Sequence, residues 1–150
     1  MGKRSKILIV DDDENIRNTM KTILEDEGYL VDTAASGGEA IQKTQKTTYN
    51  IALLDIRLPD MEGVELLKLI KEGVPRTRKI MVTGYPSMQN AINALNKNAD
   101  AYLIKPVDIE NLLATVKNQL QLQEGEKEFS EQKVTEFIES RVKELTVDHT

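Results

Sequence analysis

Short apolar runs alternate with stretches of helical periodicity along the first 120 residues, and four of these runs end abruptly in a polar side chain. Residues 6–10 lead into Asp11, residues 50–54 into Asp55, residues 79–82 into Thr83, and residues 101–104 into Lys105. Apolar runs of this length are typical of parallel strands covered on both faces. We therefore predict four buried strands whose tips carry an acid, an acid, a hydroxyl and an ammonium.

The segments between these runs repeat apolar residues at helical spacing. The predicted stripes are Ile16, Met20, Ile23 and Leu24; Val64, Leu66, Leu67 and Ile70; Ala91, Ile92, Ala94 and Leu95; and Ile109, Leu112, Leu113, Val116 and Leu120. A further strand over residues 29–34 precedes a short helix from a Ser36 cap to about Lys46, which has capping-box spacing. The expected helix caps are Asp13, Ser36, Ser87 and Asp108. The expected stops are Gly28, the Gly73 to Pro75 region and Asn98.

Five strands alternating with five helices predict an α/β fold of the flavodoxin-like (βα)5 type, a doubly wound parallel sheet with helices on both faces. In the strand order 2-1-3-4-5, strands one and three are neighbours where the order switches. Ligand sites in such sheets form at the carboxyl ends of the strands, near this switch. We therefore expect the four polar tips to converge on one edge of the sheet.

Length and composition narrow the functional classes. A chain of 150 residues with 39% hydrophobic content suits one domain plus a modest appendage, and the absence of cysteine excludes disulfides and thiolate zinc sites. The net charge is −5, of which −4 lies in residues 121–150, so direct nucleic-acid binding is not expected. The N-terminal apolar run is too short for a signal peptide or a membrane span, which predicts a soluble cytoplasmic protein without membrane association.

The polar strand tips indicate phosphoryl chemistry. Asp11, Asp12 and Asp55 would repel one another without a cation, and carboxylate oxygens suit Mg²⁺ when phosphate supplies other ligands. The Lys105 ammonium and the Thr83 hydroxyl are suited to contacting phosphoryl oxygens. A site of this kind stabilises in-line phosphoryl transfer. Asp55 stands alone on the central strand and is the expected acceptor.

Each of these features also has a purely structural explanation. Acids at strand ends often cap the next helix, as Asp13 is expected to do, and a lysine before proline is usually structural. A functional site is favoured because all of these polar residues occur in one chain, in the order of the predicted strands, and each follows a strand.

The motifs resemble those of a known family. The residues that carry the likeness are Ile7-Leu8-Ile9-Val10-Asp11-Asp12-Asp13, Asp55-Ile56-Arg57-Leu58-Pro59-Asp60-Met61-Glu62-Gly63, Thr83-Gly84-Tyr85-Pro86 and Tyr102-Leu103-Ile104-Lys105-Pro106. They look like the CheY-like receiver domains of two-component response regulators, and the resemblance covers roughly residues 5–121. The sequence of residues 83–87 is most similar to that of receivers of the NtrC kind. This similarity is too local to assign an output.

The resemblance implies a function and a set of site residues. A sensor histidine kinase or phosphotransfer protein would donate a phosphoryl group to Asp55. Asp11, Asp12, Asp55 and the main-chain carbonyl of Arg57 would bind Mg²⁺, and Thr83 and Lys105 would contact the phosphoryl group. Catalysis would be limited to weak self-phosphorylation and self-dephosphorylation, so the protein is expected to be a switch and not an enzyme. Lys105–Pro106 would be a cis peptide bond.

The resemblance also implies a mechanism of switching. Thr83 would move toward the phosphoryl group, and the ring of Tyr102 would turn inward into the vacated space. This change would alter the face made by the fourth helix, the fifth strand and the fifth helix, as a population shift. Tyr102 could equally be an ordinary aromatic residue of an edge strand.

The last 29 residues form a separate problem. We predict a receiver domain over residues 1–121 and an acidic, amphipathic helical tail or linker over residues 122–150. Residues 121–128 are too polar for a core of their own, and Ser130 could cap a helix. The apolar stripe of that helix is Val134, Phe137, Ile138, Val142 and Leu145. The stripe could fold back on its own receiver, pair with a second copy in a homodimer, or lead to an output domain; we favour the homodimer, supported by this helix or by the switching face.

Two other functional classes remain open at this stage. Asp11 and Asp13 also form an Asp-x-Asp motif, so a haloacid-dehalogenase-type phosphohydrolase is an alternative. That alternative leaves Asp55 and its Pro-Gly loop unexplained, and it lacks a late pair of metal-binding acids. A third class is a docking module that never receives phosphate.

Overall fold

In the computed structural model of the chain, residues 4–70, 73, 75–84 and 99–148 are described, with residues 144–148 described by their backbone alone. The strands are β1 (Lys6–Val10), β2 (Leu30–Ala34), β3 (Ile51–Asp55), β4 (Arg78–Thr83) and β5 (Ala101–Ile104). The helices are α1 (Glu14–Asp26), α2 (Gly37–Lys46), α3 (Gly63–Leu69) and the C-terminal helix (Ile109–Asp148). The predicted fourth helix, with its Ser87 cap and Asn98 stop, lies outside the described residues.

The strands form one parallel sheet in the order β2-β1-β3-β4-β5, which confirms the predicted topology. β3 is the central strand, and all five of its residues are buried. It pairs with β1 on one side and with β4 on the other. A strand buried on both faces has to be apolar along its length, which explains its sequence Ile-Ala-Leu-Leu before Asp55.

The alternation of side chains along the strands divides the core into two layers. One layer joins Leu8, Val10, Ala52, Leu54 and Met81 to apolar residues of α2 and α3. The other layer joins the intervening strand residues to α1 and the C-terminal helix, and its members include Ile7, Ile9, Leu53, Val82, Met20, Leu24, Leu112 and Val116. Helices therefore cover both faces of the sheet, as the doubly wound prediction requires.

Capping residues begin and end the helices as the sequence indicates. The Asp13 carboxylate accepts hydrogen bonds from the amides of Asn15 and Ile16 at the start of α1. The Ser36 hydroxyl accepts one from Glu39 N–H in α2, and Asp108 accepts one from Asn111 N–H in the C-terminal helix. Gly28 follows α1 with a φ of +95°, a conformation that glycine adopts without steric cost.

Helix α3 is shorter than the sequence predicts. The expected end lay near Gly73 and Pro75, but the helix ends at Leu69, and Ile70 has extended backbone angles. The buried Lys79 ammonium from β4 donates a hydrogen bond of 2.9 Å to the carbonyl of Leu67. This contact satisfies a carbonyl that a further helical turn would have used, so a residue distant in sequence favours the early end.

The C-terminal helix is continuous, and the prediction of a separate helix capped by Ser130 is wrong. Residues 109–148 form one helix of 40 residues. The polar stretch does not interrupt it because glutamine, glutamate and lysine are good helix formers, and one glycine at Gly125 costs only about 1 kcal/mol. A search of the described helices for a segment suited to spanning a lipid bilayer finds none.

Polar contacts hold this helix against the amino-terminal edge of the sheet. The buried Gln123 side chain donates to the carbonyls of Asn50 and Arg76, at 3.0 and 2.8 Å. The Arg78 guanidinium donates to Gln119 at 2.8 Å and forms an ion pair with Glu126. Contacts with the sheet therefore continue to Glu126, whereas residues 124–143 are all exposed. The domain boundary after residue 121 stays a prediction.

Candidate functional site

The polar strand tips lie next to one another at the carboxyl edge of the sheet. Asp11 follows β1 and Asp55 ends β3, which are adjacent strands. Thr83 ends β4, and Lys105 follows β5. Because the strands are parallel and neighbouring, their carboxyl ends meet at the same edge, as the sequence predicts.

Two buried carboxylates share one ammonium group. Lys105 Nζ lies 2.8 Å from Asp11 Oδ2 and 3.3 Å from Asp55 Oδ2. Asp11 is 1% exposed and Asp55 is 6% exposed, so the pairs are shielded from water. Two carboxylates facing one ammonium leave a net negative charge at the edge of the sheet, to which the exposed Asp12 adds.

The arrangement of oxygens fits a hard cation. Asp11, Asp12 and Asp55 each offer a carboxylate oxygen, and these three oxygens lie within 4.8 Å of one another. Among the described residues, Asp11 Oδ2 finds no well-aligned hydrogen bond although it is buried beside the Lys105 ammonium. Three carboxylate oxygens at this spacing suit Mg²⁺.

A cavity of about 370 Å³ opens over these carboxylates. Its walls are Asp11, Asp12, Asp13, Ile16, Asp55, Arg57, Gly84 and Lys105. The cavity joins the end of β1, the start of α1 and the loop after β3. The cavity therefore reaches the Asp55 carboxylate.

The local charges shift the proton affinity of the two central groups. Burial raises the pKa of Asp55, the Lys105 ammonium opposes that shift, and the Asp11 carboxylate adds to it. For Lys105, burial acts to lower the pKa, but the nearby Asp11 and Asp55 carboxylates outweigh it and raise the pKa. Lys105 is therefore a protonated cation at neutral pH, whereas burial and the Asp11 charge disfavour the charged form of Asp55 relative to an exposed aspartate.

The acidic turn after β1 is held by its own contacts. Asp13 N–H donates to Asp11 Oδ1 at 2.9 Å, and Arg17 Nη1 donates to the Asp11 carbonyl at 2.7 Å. Asp13 itself caps α1 and so has a structural role in addition to lining the cavity. The sequence does not predict the role of Arg17, because its hydrogen-bond acceptor is a backbone carbonyl, and such a contact is not marked by any pattern of residue types.

Comparison with known proteins decides the family. Residues 7–117 match the model of the response regulator receiver domain. The chain belongs to this family. It is 36% identical over 124 residues to the regulatory protein AtoC of Escherichia coli K12, a match that covers 83% of this chain and 27% of AtoC. It is 34% identical over 119 residues to the transcriptional regulatory protein TrcR of Mycobacterium tuberculosis, covering 79% of this chain and 46% of TrcR. The receiver thus spans less than half the length of each of these relatives.

Solved structures show the same fold. A CheY-like response regulator receiver domain protein from Methanospirillum hungatei JF-1 is 49% identical, with a TM-score of 0.76 over 83% of this chain and 99% of that one. NtrX from Brucella abortus is 28% identical, with a TM-score of 0.78 over 85% of this chain and 29% of that one. The chain is therefore a CheY-like receiver of a two-component system, and such receivers are signalling switches and not enzymes in the usual sense.

The receiver brings most of the predicted site residues together. The cavity described above is lined by five of them: Asp11, Asp12, Asp55, Arg57 and Lys105. Arg57 N–H also lies 3.4 Å from Asp55 Oδ1. The cis peptide bond that the resemblance implied is present at Lys105–Pro106.

The two predicted switch residues lie on the last two strands of the sheet and are not among the residues that line the cavity. Thr83 is fully buried at the end of β4, and its carbonyl accepts a hydrogen bond of 2.6 Å from Lys105 N–H. Tyr102, on β5, is partly buried and packs against the core layer that contains Met81. A direct backbone link therefore joins the strand of Thr83 to the residue that carries the site ammonium.

Proposed function

We propose that this receiver accepts a phosphoryl group on Asp55, in a Mg²⁺-dependent reaction, from a sensor histidine kinase or a phosphotransfer protein. The observation that carries the proposal is the position of the Asp55 carboxylate. It ends the central strand, opens on the cavity, and lies 3.3 Å from the Lys105 ammonium with two further carboxylates beside it.

The reaction is an in-line displacement at phosphorus. An Asp55 oxygen forms the new O–P bond as the donor's N–P or O–P bond breaks, and the donor leaves with the electron pair and takes up a proton from solvent. Asp11, Asp12, Asp55 and the Arg57 carbonyl are the proposed Mg²⁺ ligands, and the ion would offset charge on the phosphoryl oxygens. Lys105 holds one phosphoryl oxygen through its ammonium, and the Thr83 hydroxyl donates to another.

The test is to incubate the wild-type chain with acetyl phosphate, with and without Mg²⁺. Borohydride then converts any aspartyl phosphate to homoserine, which a peptide mass spectrum locates. Trypsin separates the two candidate acids, because residues 7–17 and 47–57 form different peptides. Mg²⁺-dependent reduction confined to the 47–57 peptide supports the proposal. Label in the 7–17 peptide, with rapid turnover of phosphate esters, would favour the phosphohydrolase.

Lys105→Ala should separate phosphorylation from switching. The variant keeps the Asp55 nucleophile, so we expect it still to accept label, but about 100- to 1,000-fold more slowly, as when one electrostatic contact to the transition state is lost. Phosphorylation of this variant should then leave the amide hydrogen exchange of β4 and β5 unchanged, because the contact between the Lys105 ammonium and the phosphoryl group is lost. Lys68→Ala, on the exposed side of α3, serves as the control. A wild-type exchange response in Lys105→Ala would contradict the proposed switch.

The exposed stripe of the C-terminal helix supports a proposal of self-association. Val134, Ile138 and Val142 recur every four residues, and each is more than half exposed. The contacts of Gln123 and Glu126 hold the helix on the sheet, while the helix continues beyond them to Asp148 and leaves Val134, Phe137 and Ile138 of the stripe exposed. We propose that a second copy of this helix covers it.

Ile138→Glu should weaken this association, because a buried charge in the middle of the stripe is costly. We expect the mass measured by light scattering to fall from that of a dimer toward that of a monomer at micromolar concentration. Deleting residues 129–150 should have the same effect while keeping the Glu126 contact. Glu136→Ala, on the opposite face of the helix, should leave the mass unchanged. An identical mass for wild type and Ile138→Glu would count against the dimer.

A further inference from the structure

The loop between the acceptor strand and α3 is tied at its tip to another helix. Asp60 Oδ1 accepts a hydrogen bond of 2.9 Å from Gly37 N–H, and Asp60 Oδ2 accepts one of 2.9 Å from Gly38 N–H. Both oxygens of one carboxylate thus bind the first two amides of α2. These amides have no partner within their own helix, so the contact joins two elements that are distant in sequence.

Local residues already cap α2 in the usual way. The Ser36 hydroxyl accepts a hydrogen bond from Glu39 N–H, and the Glu39 carboxylate accepts one from Ala35 N–H. The Asp60 contact is therefore additional to the local capping contacts of this helix end. Its distinctive effect is to fix the position of the loop relative to α2.

Packing beside Asp60 reinforces this connection. A Cβ atom at Gly37 would overlap the side chain of Met61, so the chain approaches the helix as closely as glycine permits. Met61 in turn packs against the core layer formed with α2 and α3. Two consecutive residues at the loop tip, one charged and one apolar, thus meet the same end of α2.

Backbone hydrogen bonds within the loop connect its tip to the wall of the cavity. Leu58 N–H donates to the Met61 carbonyl at 3.1 Å, and Gly63 N–H donates to the Ile56 carbonyl at 2.6 Å. Arg57 and Glu62 form an antiparallel bridge between these bonds. The loop is therefore a short ribbon in which a shift at the tip moves the backbone at Arg57, on the wall of the cavity.

We propose that Asp60 is a positioning residue: by binding the Gly37 and Gly38 amides, it holds the Arg57 backbone at the distance from Asp55 that metal and phosphoryl binding require. The inference rests on the proposed function, because it assigns Asp60 a part in the same site without contact with the reacting atoms. The two amides also lower the pKa of Asp60, so its carboxylate is ionised at neutral pH.

The test compares Asp60→Ala with Ser36→Ala in the full chain. Ser36→Ala removes an ordinary cap from the same helix end but leaves the tie to the loop. Isothermal titration calorimetry with magnesium chloride gives the Kd, and urea denaturation gives the stability. We expect both variants to be less stable than wild type, whereas only Asp60→Ala weakens Mg²⁺ binding, by about tenfold, as losses of outer-shell partners of metal sites do.

Asp60→Asn provides the conservative variant. One amide oxygen can still accept a single hydrogen bond, so its Kd should lie between those of wild type and Asp60→Ala. The same variant answers the question if Asp60→Ala does not fold. An Mg²⁺ affinity within twofold of wild type in the folded variants, with the wild type binding normally, would overturn this inference and leave the proposed function standing. Failure of the wild type itself to bind Mg²⁺ would overturn both.

Discussion

Asp55→Asn should abolish phosphoryl transfer to this receiver. The substitution keeps the size and shape of the side chain but replaces the nucleophilic carboxylate with an amide, which cannot form a stable acyl phosphate. Nearby groups keep their contacts, because the Lys105 ammonium still has Asp11 Oδ2 at 2.8 Å. We therefore expect no phosphoryl group on the 47–57 peptide and a loss of at least about a thousandfold in labelling rate, the scale typical of removing an essential catalytic group.

The measurement is the acetyl phosphate incubation followed by intact and peptide mass spectra. Asp26→Asn makes the same chemical change at an exposed acid of α1 and should label like the wild type. Asp55→Asn should also keep its free energy of unfolding in Mg²⁺-free buffer, because it removes a buried charge that faces Asp11. Stoichiometric labelling of a folded Asp55→Asn protein would rule out Asp55 as the acceptor.

The sequence predicts the sheet well because burial on both faces leaves a strong signal. β3 has to be apolar throughout, and its apolar run ends where the strand ends, at Asp55. The caps are equally local, since Asp13 and Ser36 bond to amides within three residues. Structural features that depend on residues close in sequence can therefore be predicted from the pattern of residue types.

The two errors have a common cause in contacts between distant residues. The end of α3 involves the Lys79 ammonium, which comes from β4 and is bonded to a helix carbonyl. The course of the C-terminal helix past Leu120 is supported by Gln123 and Arg78, a glutamine and an arginine that carry no special signal in isolation. Gln123 lies in a segment predicted to be too polar for a core of its own, yet its side chain bonds to the edge of the sheet.

The candidate site shows the same difference between features that the sequence predicts and features that depend on contacts between distant residues. The acids and the lysine at the strand tips could be predicted to meet, because topology alone brings them to one edge. Arg17 and Asp60 could not, since their partners are backbone groups of Asp11, Gly37 and Gly38. The adjacent glycines at the start of α2 were a usable signal, because a close approach of another segment is one reason for glycine in a helix.

Gly63→Ala should be the most disruptive single-methyl substitution next to the site. A Cβ atom at this position would overlap the carbonyl oxygen of Asp55, and it would lie 3.0 Å from both the Asp55 carbonyl carbon and the Ile56 Cα. All three atoms belong to the backbone, so no side chain can rotate away to make room. Relief requires a shift of either the start of α3 or the end of β3, and overpacking against backbone costs about 3 kcal/mol or more in the free energy of unfolding.

Gly125→Ala is the matched control, because it adds the same methyl group at a helical glycine with open space around it. We expect Gly125→Ala to raise the free energy of unfolding by about 0.5 to 1 kcal/mol, since alanine favours the helix. Urea denaturation of the two variants should therefore give changes of opposite sign. Any folded Gly63→Ala protein should also label slowly, because the displaced atom is the carbonyl of the acceptor residue itself. A Gly63→Ala protein within 1 kcal/mol of wild type and labelled at the normal rate would show that the loop can yield without moving Asp55.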